Sequence, residues 1–325
     1  MSGNKRKYVH YATPEKLDQV NPKNKRHIKN YFNSKAMTLS DSTKYSYESD
    51  FNQWLVFILE EYDNQDLMSF DAEEISEMLE AFVAFCRDTL GNNERRIQRR
   101  LSCISSFFKL LRKKRKMTED PMEYIERPKV RKDEKLQVKQ TYLTEEQIAM
   151  IRSGLKKEGN LQLELFFEFG LSTMARANAI SNIRIEQINF EEKEVNGVLE
   201  KEGKTVDLFP SEYTFELIKK WLAYRKKEKI ESEYLFITKY KGEWKKVEKG
   251  TLQGSWIKKI GAMINIPELH CHDLRHSGSN LKYQMGMPLE EVSALLNHSG
   301  TQVTQDHYIK RNNKKLKESN KKFEI

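Results

Sequence analysis

The chain has 325 residues, enough for about two domains with separate cores, and a net charge of +9 with a pI near 9.1. That charge suits a polyanionic partner such as nucleic acid. Three cysteines, Cys86, Cys103 and Cys271, have spacings that fit neither a zinc site nor a disulfide framework, which predicts a reducing, cytoplasmic compartment. The first residues lack the apolar core of a signal peptide and no run is long enough to span a bilayer, so we expect no membrane partner.

The N-terminal part of the chain is predicted to be helical. Residues 1–37 are polar and basic and contain Pro14 and Pro22, which indicates an N-terminal basic arm or short helices. Residues 38–126 then hold three helices, the first capped by Ser40 or Asp41, the second following Ser69 and the third capped by Asn93. Their apolar positions recur at helical spacing: Tyr47, Phe51, Trp54, Leu55 and Ile58; Ile75, Met78, Leu79, Phe82 and Val83; Ile97, Leu101, Ile104, Phe108 and Leu111.

The third helix carries a basic cluster at each end. Positive charge at a helix N-terminus opposes the helix dipole, so something other than helix stability should favour it there. DNA phosphate is the candidate partner, and a merely solvated helix face is the alternative. The predicted DNA-binding residues are Arg95, Arg96, Arg99, Arg100, Arg112, Lys113 and Lys114.

A second domain is predicted over residues 142–325. The charged segment 127–141, with Pro128, lacks apolar periodicity and is predicted to be a linker. The next element opens with TEEQ at 144–147, the pattern of a capping box. Residues 195–210 alternate in polarity around turn residues, which predicts two short strands. Further on, Pro288 suits the first turn of a helix whose apolar side leads to His298.

Residues 272–308 read HDLRHSGSNLKYQMGMPLEEVSALLNHSGTQVTQDHY, and this stretch suits phosphodiester chemistry. His272 and Arg275 are three residues apart, so on a helix they share a face and can converge on one anionic group. A lone histidine is more often a core or capping residue. Here, however, His298 and Tyr308 follow these two residues within the same short stretch. This combination favours a catalytic site over a structural role for each histidine.

This frame resembles the second signature box of the tyrosine recombinases, also called the phage integrase family. Members carry His-x-x-Arg-His in a helix, then Gly with an apolar helix, then Leu-Gly-His, then a tyrosine. The corresponding elements here are HDLRH at 272–276, LNH at 296–298 and Tyr308. Asn297 stands where the family has Gly. Because Asn tolerates left-handed backbone angles better than most residues, we expect the turn to form.

The resemblance implies a second arginine upstream, in the first box of the family. The segment FGLSTMARANAI at 169–180 fits that box, with Arg176 as the arginine. Met174 replaces the usual Gly, and Ala179 replaces the acidic residue that helps to hold the arginine. Losing that carboxylate removes a group that orients the arginine, and poor orientation is costly in rate.

The resemblance also implies a lysine on the hairpin between the boxes, for which Lys201 is the first choice and Lys204 the second. In the family the tyrosine attacks the phosphodiester and forms a 3′ phosphotyrosine, while lysine protonates the departing 5′ oxygen. Arginine forks suit the charge that builds on the phosphate, and histidines can donate hydrogen bonds or move protons. The implied catalytic residues are Arg176, Lys201, His272, Arg275, His298 and Tyr308.

The implied architecture is mostly α with a small β-sheet (α+β): a helical core-binding domain followed by the recombinase catalytic domain. The implied partners are double-stranded DNA and further copies of the chain, in the cytoplasm at the nucleoid. No cofactor, metal or nucleotide is expected, because the sequence lacks a P-loop, a dinucleotide fingerprint and a paired Cys/His ligand set. The implied activity is DNA cutting and rejoining for a phage or other mobile element. The alternative is a DNA-binding regulator of the same fold, such as a phage repressor that maintains lysogeny, without recombinase activity.

Overall fold

The computed structural model describes residues 11–129, 141–201, 203–298 and 300–308, with backbone alone at 201 and 306–308. The chain divides into two compact units, Met1–Val138 and Lys139–Ile325, and the division falls within the predicted linker. Most of that linker, residues 130–140, lies outside the described residues. Both units are mainly helical, and the small antiparallel sheets of the described residues lie in the second unit. No helix within the described ranges is long and apolar enough to cross a membrane.

The first unit is built from helices whose starts are set by side-chain caps. Ser40 accepts a hydrogen bond from the backbone N–H of Thr43, and Asn93 accepts one from Arg96, as the sequence predicts. The second predicted helix begins after Asp71, which forms a capping box with Glu74. The helices are α1 (Pro14–Gln19), α2 (Pro22–Lys35), α3 (Asp41–Glu61), α4 (Ala72–Asp88) and α5 (Glu94–Lys113).

Helices α1 and α2 lie in the segment predicted to form a basic arm or short helices, and the short helices are what forms there. Ile28 and Tyr31 on α2 are buried in the core of the first unit, as is Val20 between the two helices. The Tyr31 hydroxyl donates to Ser106 Oγ on α5 at 2.8 Å. These contacts make the segment from residue 14 to 35 a structural part of the unit. Its narrow apolar face is obscured in the sequence by the many basic residues around it.

The second unit begins with the predicted capping box, in which Thr144 and Gln147 bond each other's backbone N–H groups. The hairpin predicted over 195–210 is confirmed as β2 and β3. The elements are α6 (Glu145–Glu158), α7 (Leu161–Thr173), α8 (Ala177–Asn182), an antiparallel sheet of order β1-β2-β3 (Ile188–Asn189, Glu194–Lys201, Lys204–Leu208) and α9 (Glu212–Lys227).

The C-terminal half of this unit adds a second hairpin and the helices that carry the 272–308 motif. Pro288 immediately precedes its helix as the N-cap residue, one position before the predicted first turn. The elements are β4 (Ile237–Tyr240), β5 (Glu243–Lys246), a π-helical turn (Leu252–Trp256), α10 (Ile257–Ala262), α11 (Cys271–Gln284), α12 (Leu289–Leu295) and α13 (Thr301–Tyr308).

A close contact between α7 and α11 positions the motif helices. A Cβ atom at Gly278 would lie 2.2 Å from the Leu171 carbonyl oxygen and 2.9 Å from Met174 Cγ. No other residue type fits at Gly278 without moving one of the helices. The two helices that carry or precede the predicted arginines are therefore held in direct backbone contact.

Candidate active site

Arg275 on α11 lies at the centre of the site and is only 1% exposed. Its Nη1 donates to the Met174 carbonyl oxygen at 2.7 Å, and its Nη2 donates to the Leu296 carbonyl oxygen at 2.6 Å. Met174 follows the end of α7, and Leu296 follows the end of α12. The guanidinium therefore joins two helix C-termini, where backbone carbonyls lack helical partners and carry partial negative charge.

Two residues that stand in place of family glycines adopt left-handed backbone angles. Asn297 has φ 52°, which confirms the turn expected from the sequence. Met174 has φ 58°, an unusual value for such a side chain, and it is fully buried against Val292 and Leu296. Backbone strain of about 1–2 kcal/mol is offset by roughly 1.5–3 kcal/mol from burial of the methionine side chain.

His298 connects Arg275 to the helix that carries the predicted nucleophile. Its Nε2 lies 3.1 Å from Arg275 Nη2, and its Nδ1 lies 2.8 Å from Oγ1 of Thr304. Because a guanidinium only donates, Nε2 must accept and the proton must sit on Nδ1, which then donates to Thr304. This pattern of contacts corresponds to the Nδ1–H tautomer of His298, and donation to a phosphate oxygen would require a proton on Nε2.

The predicted nucleophile, Tyr308, is the last residue of α13, and its side chain lies outside the described residues. Thr304, one helical turn earlier on the same helix face, is fully buried. The side chain of Lys201, at the end of β2, is also outside the described residues. Lys204 pairs with it across the hairpin and is exposed.

His272 stands on α11 one turn before His276, and the two rings meet edge to face with centroids 4.7 Å apart. Although part of the His272 side chain is open to solvent, partial burial lowers its pKa below the ordinary 6.5. The positive charges of Arg275 and Arg176 lower that pKa further, since they disfavour a third cation. His272 is therefore neutral at pH 7 and shares its electrostatic environment with both arginines.

Arg176 precedes α8 as its N-cap residue, and its side chain keeps 36% exposure. Its Nη1 makes an ion pair of 2.5 Å with Oε2 of Glu200 on β2. Ala179 is fully buried and offers no carboxylate. Sequence reasoning missed Glu200, although one signal was present: Glu200 and Val198 share the inward-facing phase of an alternating strand, where a charged residue is rare.

The basic cluster at the start of α5 divides into surface and core residues. Arg95 and Arg99 are exposed, and Arg96 is half-buried. Arg100, by contrast, is 2% exposed, lies 3.6 Å from Asp50 and donates to Cys86 Sγ at 3.0 Å. The assignment of Arg100 to DNA binding is corrected on this ground, because its guanidinium is enclosed by the core.

The second basic cluster, Arg112, Lys113 and Lys114, is exposed at the other end of α5. Arg112 pairs with Glu123 at 2.6 Å, and Lys114 donates to Ser34 Oγ. At 1.5 Å per residue the two clusters are about 25 Å apart along the helix.

The family model described as the phage integrase family matches residues 141–315, more than half of the chain. The chain belongs to the phage integrase family. This family member is 27% identical over 270 residues to a tyrosine recombinase of Pseudothermotoga lettingae, with 82% of this chain and 86% of that protein covered. It is 24% identical over 273 residues to a tyrosine recombinase of Thermosipho africanus, with 82% and 87% covered.

Solved structures of the phage integrase family share the fold. The Tn1549 transposon integrase in complex with a circular intermediate DNA gives a TM-score of 0.67 at 12% identity, covering 93% of this chain and 99% of that one. The XerH recombinase bound to its palindromic difH substrate gives 0.64 at 17% identity, covering 97% and 94%. The predicted fold class, mostly α with a small β-sheet, is confirmed.

Proposed function

We propose that this phage integrase family member binds double-stranded DNA and cuts and rejoins it through a covalent bond at Tyr308. The observation that carries the proposal is the chain of contacts from Arg275 through His298 to Thr304. It joins a buried guanidinium to the helix that ends at Tyr308. Such a guanidinium suits a phosphate oxygen, and the tyrosine oxygen suits in-line attack.

In the proposed reaction, cleavage and rejoining each exchange one phosphate ester bond for another. The Tyr308 oxygen attacks the phosphorus, the bond to the 5′ oxygen breaks, and the phosphate stays on the tyrosine as a 3′ phosphotyrosine. The tyrosine proton leaves to a nearby base, and lysine, Lys201 in our assignment, protonates the 5′ oxygen. A 5′ hydroxyl then attacks the phosphotyrosine and gives its proton back to the lysine, the bond from phosphorus to the Tyr308 oxygen breaks, and the tyrosine regains its proton as the phosphodiester is restored. No external energy source is required, because one ester is exchanged for another.

His272 and His298 have distinct proposed parts in this reaction. His272 is neutral at pH 7, so it can accept a proton or donate one N–H bond to a phosphate oxygen. Without DNA, His298 Nε2 accepts a hydrogen bond from Arg275 Nη2. A bound phosphate would attract the guanidinium and the imidazole toward its own oxygens. The negative charge of the phosphate favours protonation of His298 at Nε2, which turns it into a donor.

The proposed DNA contacts follow from charge and exposure. Arg95, Arg96 and Arg99 would contact one set of phosphates, and the cluster at Arg112, Lys113 and Lys114 another. The solved XerH structure holds a DNA substrate. By analogy we propose that several copies of this chain assemble on one duplex, at the nucleoid in the cytoplasm, in the service of a phage or other mobile element.

A second function is favoured by a different observation. Arg275 is almost completely buried and already donates to two backbone carbonyls, and Ala179 supplies no carboxylate to Arg176. Both features suit a protein that keeps the fold for DNA recognition alone. The second proposed function is therefore a sequence-specific DNA-binding regulator of the same fold, such as a phage repressor.

Recovery of bound DNA from cells under denaturing conditions separates the two functions. Wild type should give denaturant-resistant DNA adducts, Tyr308→Phe should give none, and Tyr224→Phe, an exposed tyrosine on α9, should match wild type. Sequencing the adducts gives the cleavage site. If DNA is recovered only after chemical crosslinking, equally with wild type and Tyr308→Phe, the recombinase proposal fails and the regulator is favoured.

A further inference from the structure

The ion pair between Arg176 and Glu200 joins two elements far apart in sequence, the start of α8 and the β2 strand. Glu200 is nearly buried, with 9% of its side chain exposed, whereas the Arg176 side chain keeps 36% exposure. The Glu200 carboxylate therefore binds the guanidinium of Arg176 from the interior of the protein. The open part of the guanidinium stays available to an anion in solvent.

The β2 strand is fixed to α8 by two side-chain hydrogen bonds next to the ion pair. Asn178 donates to the backbone carbonyl of Glu200, and Asn182 donates to the carbonyl of Leu199 at 2.9 Å. Lys246 on β5 in turn donates to Asn182 Oδ1 at 3.0 Å. The backbone of Glu200 thus has a defined place opposite Arg176, and the carboxylate does not depend on a flexible loop.

The charge balance makes each partner depend on the other. Only Oε2 of Glu200 bonds Arg176, and Oε1 is buried with no hydrogen-bond partner among the described residues. A buried carboxylate with one free oxygen is costly unless a cation is held against it. Ala179, one helical turn after Arg176, has no carboxylate that could pair with the arginine. Glu200 provides that carboxylate from a strand.

We infer that Glu200 is the positioning residue for Arg176: its carboxylate orients the guanidinium toward the phosphate that the site binds. The inference rests on the proposed function in one respect, that Arg176 contacts the reacting phosphate. Because Lys201 follows Glu200 directly in the chain, the same contact fixes the end of β2, to which the proposed general acid belongs. Glu200 itself touches no reacting atom in this scheme.

The test compares Glu200→Gln with Glu168→Gln in the full chain. Glu168 is also buried in the second unit and binds Arg152 with both oxygens, at 2.6 and 2.8 Å. Each variant removes a buried carboxylate that pairs with a partly exposed arginine, so the two variants are matched in chemistry. Only Glu200→Gln should act on the site.

The first readout is the Arg176 side-chain Nε–Hε signal in nitrogen-15 NMR spectra of the DNA-free chain. In Glu200→Gln this proton should exchange faster with water and the guanidinium should rotate more freely, because its charged partner is lost. Glu168→Gln should change the Arg152 signal and leave the Arg176 signal as in wild type. An Arg176 signal unchanged in Glu200→Gln overturns the inference.

The second readout is the single-turnover cleavage rate on the DNA fragment recovered with the wild-type chain. Glu200→Gln should lower that rate by roughly 10- to 100-fold, the range seen when a supporting contact behind an active group is removed, with little change in the DNA Kd. A rate equal to that of Glu168→Gln overturns the inference. If Glu200→Gln does not fold, Glu200→Asp, which withdraws the charge by one methylene, replaces it in both readouts.

The two readouts separate failure of this inference from failure of the proposed function. If wild type never cleaves DNA, the recombinase proposal fails, and the NMR result alone decides whether Glu200 positions Arg176. If wild type cleaves but Glu200→Gln cleaves equally well, the proposed function stands and the role of Glu200 is wrong.

Discussion

The Nδ1 atom of His298 lies 2.8 Å from Oγ1 of Thr304, one turn before Tyr308 on the same helix. On its other side the imidazole contacts Arg275. A single ring therefore links the buried arginine to the helix that carries the proposed nucleophile. Movement of α13 would therefore displace the His298 ring and change its contact with Arg275.

Thr304→Val should loosen α13 while preserving its packing, since valine keeps the shape and loses the hydroxyl. We expect a loss of about 1–2 kcal/mol in the free energy of unfolding, because the His298 Nδ1–H loses its acceptor. Amide hydrogen exchange over 301–308 should accelerate. Thr214→Val, another fully buried threonine in the same unit, is the control and should leave exchange in that segment unchanged. Equal exchange in both variants would contradict the linkage.

Met174 and Asn297 both have left-handed backbone angles, and replacing each by glycine should have opposite effects on stability. Asn297 is exposed, so Asn297→Gly relieves strain and should change the free energy of unfolding by less than about 1 kcal/mol, in the stabilising direction. Met174→Gly relieves similar strain but empties a fully buried position, at roughly 2–5 kcal/mol, so the cavity dominates. Urea titration measures both, and a stabilised Met174→Gly would refute the packing argument.

Gly278→Ala should separate α7 from α11. Its Cβ would lie 2.2 Å from the Leu171 carbonyl oxygen, so we expect a loss of about 3 kcal/mol or more and a lower Tm. Gly254→Ala, where no atom lies within 4 Å of the added Cβ, is the control and should leave the Tm unchanged or slightly higher. Thermal unfolding of both variants checks this, and a Gly278→Ala chain with wild-type Tm would be inconsistent with the contact.

Arg100→Ala and Arg95→Ala should separate stability from DNA binding. Arg100→Ala removes a buried cation beside Asp50, a carboxyl whose pKa is already raised by burial, and should cost about 3–5 kcal/mol of stability. Arg95→Ala should leave stability unchanged and reduce the slope of log Kd against log salt by about 1. Urea titration and DNA binding at several salt concentrations measure the two effects. An unaltered salt slope for Arg95→Ala would indicate a merely solvated side chain.

His272 should make stability fall in mild acid. Its pKa in the folded chain lies below the ordinary 6.5, so the unfolded chain binds more protons below that pH. Above about pH 6.5 the titration of His272 does not change the free energy of unfolding. As the pH falls from there through the lower pKa of the folded chain, the free energy of unfolding decreases. His272→Gln should flatten this part of the stability profile, measured by urea titration between about pH 5 and 7.5. His27→Gln, in the first unit, is the control and should leave the decrease of stability with falling pH unchanged. A flattened stability profile in His27→Gln would argue against His272 as the cause.

The sequence predicted the local features of the fold well. Ser40, Asn93 and Thr144 each cap the expected helix, and the β2–β3 hairpin forms where polarity alternates. These features depend on residues within a few positions of one another. The motif histidines and Arg275 were likewise read from short spacings, and the left-handed turn at Asn297 followed from one side chain.

The residues that sequence reasoning missed depend on distant contacts. Glu200 meets Arg176 only because β2 lies beside α8, and Thr304 meets His298 only when α13 folds back. The error at Arg100 has the same origin, since its burial depends on Asp50 on another helix. Charge type and spacing alone do not distinguish a core arginine from a surface arginine.

Arg275 donates short hydrogen bonds to two backbone oxygens, those of Met174 and Leu296. A backbone carbonyl is present whichever amino acid occupies the position, so mutation can change the side chains there without removing the acceptors. Only the path of the backbone must be preserved, and left-handed φ angles at Met174 and at Asn297, the residue after Leu296, are part of that path here. The position of the Arg275 guanidinium thus depends on the course of the backbone at two helix ends, and the side chains at Met174 and Leu296 do not supply its hydrogen-bond acceptors.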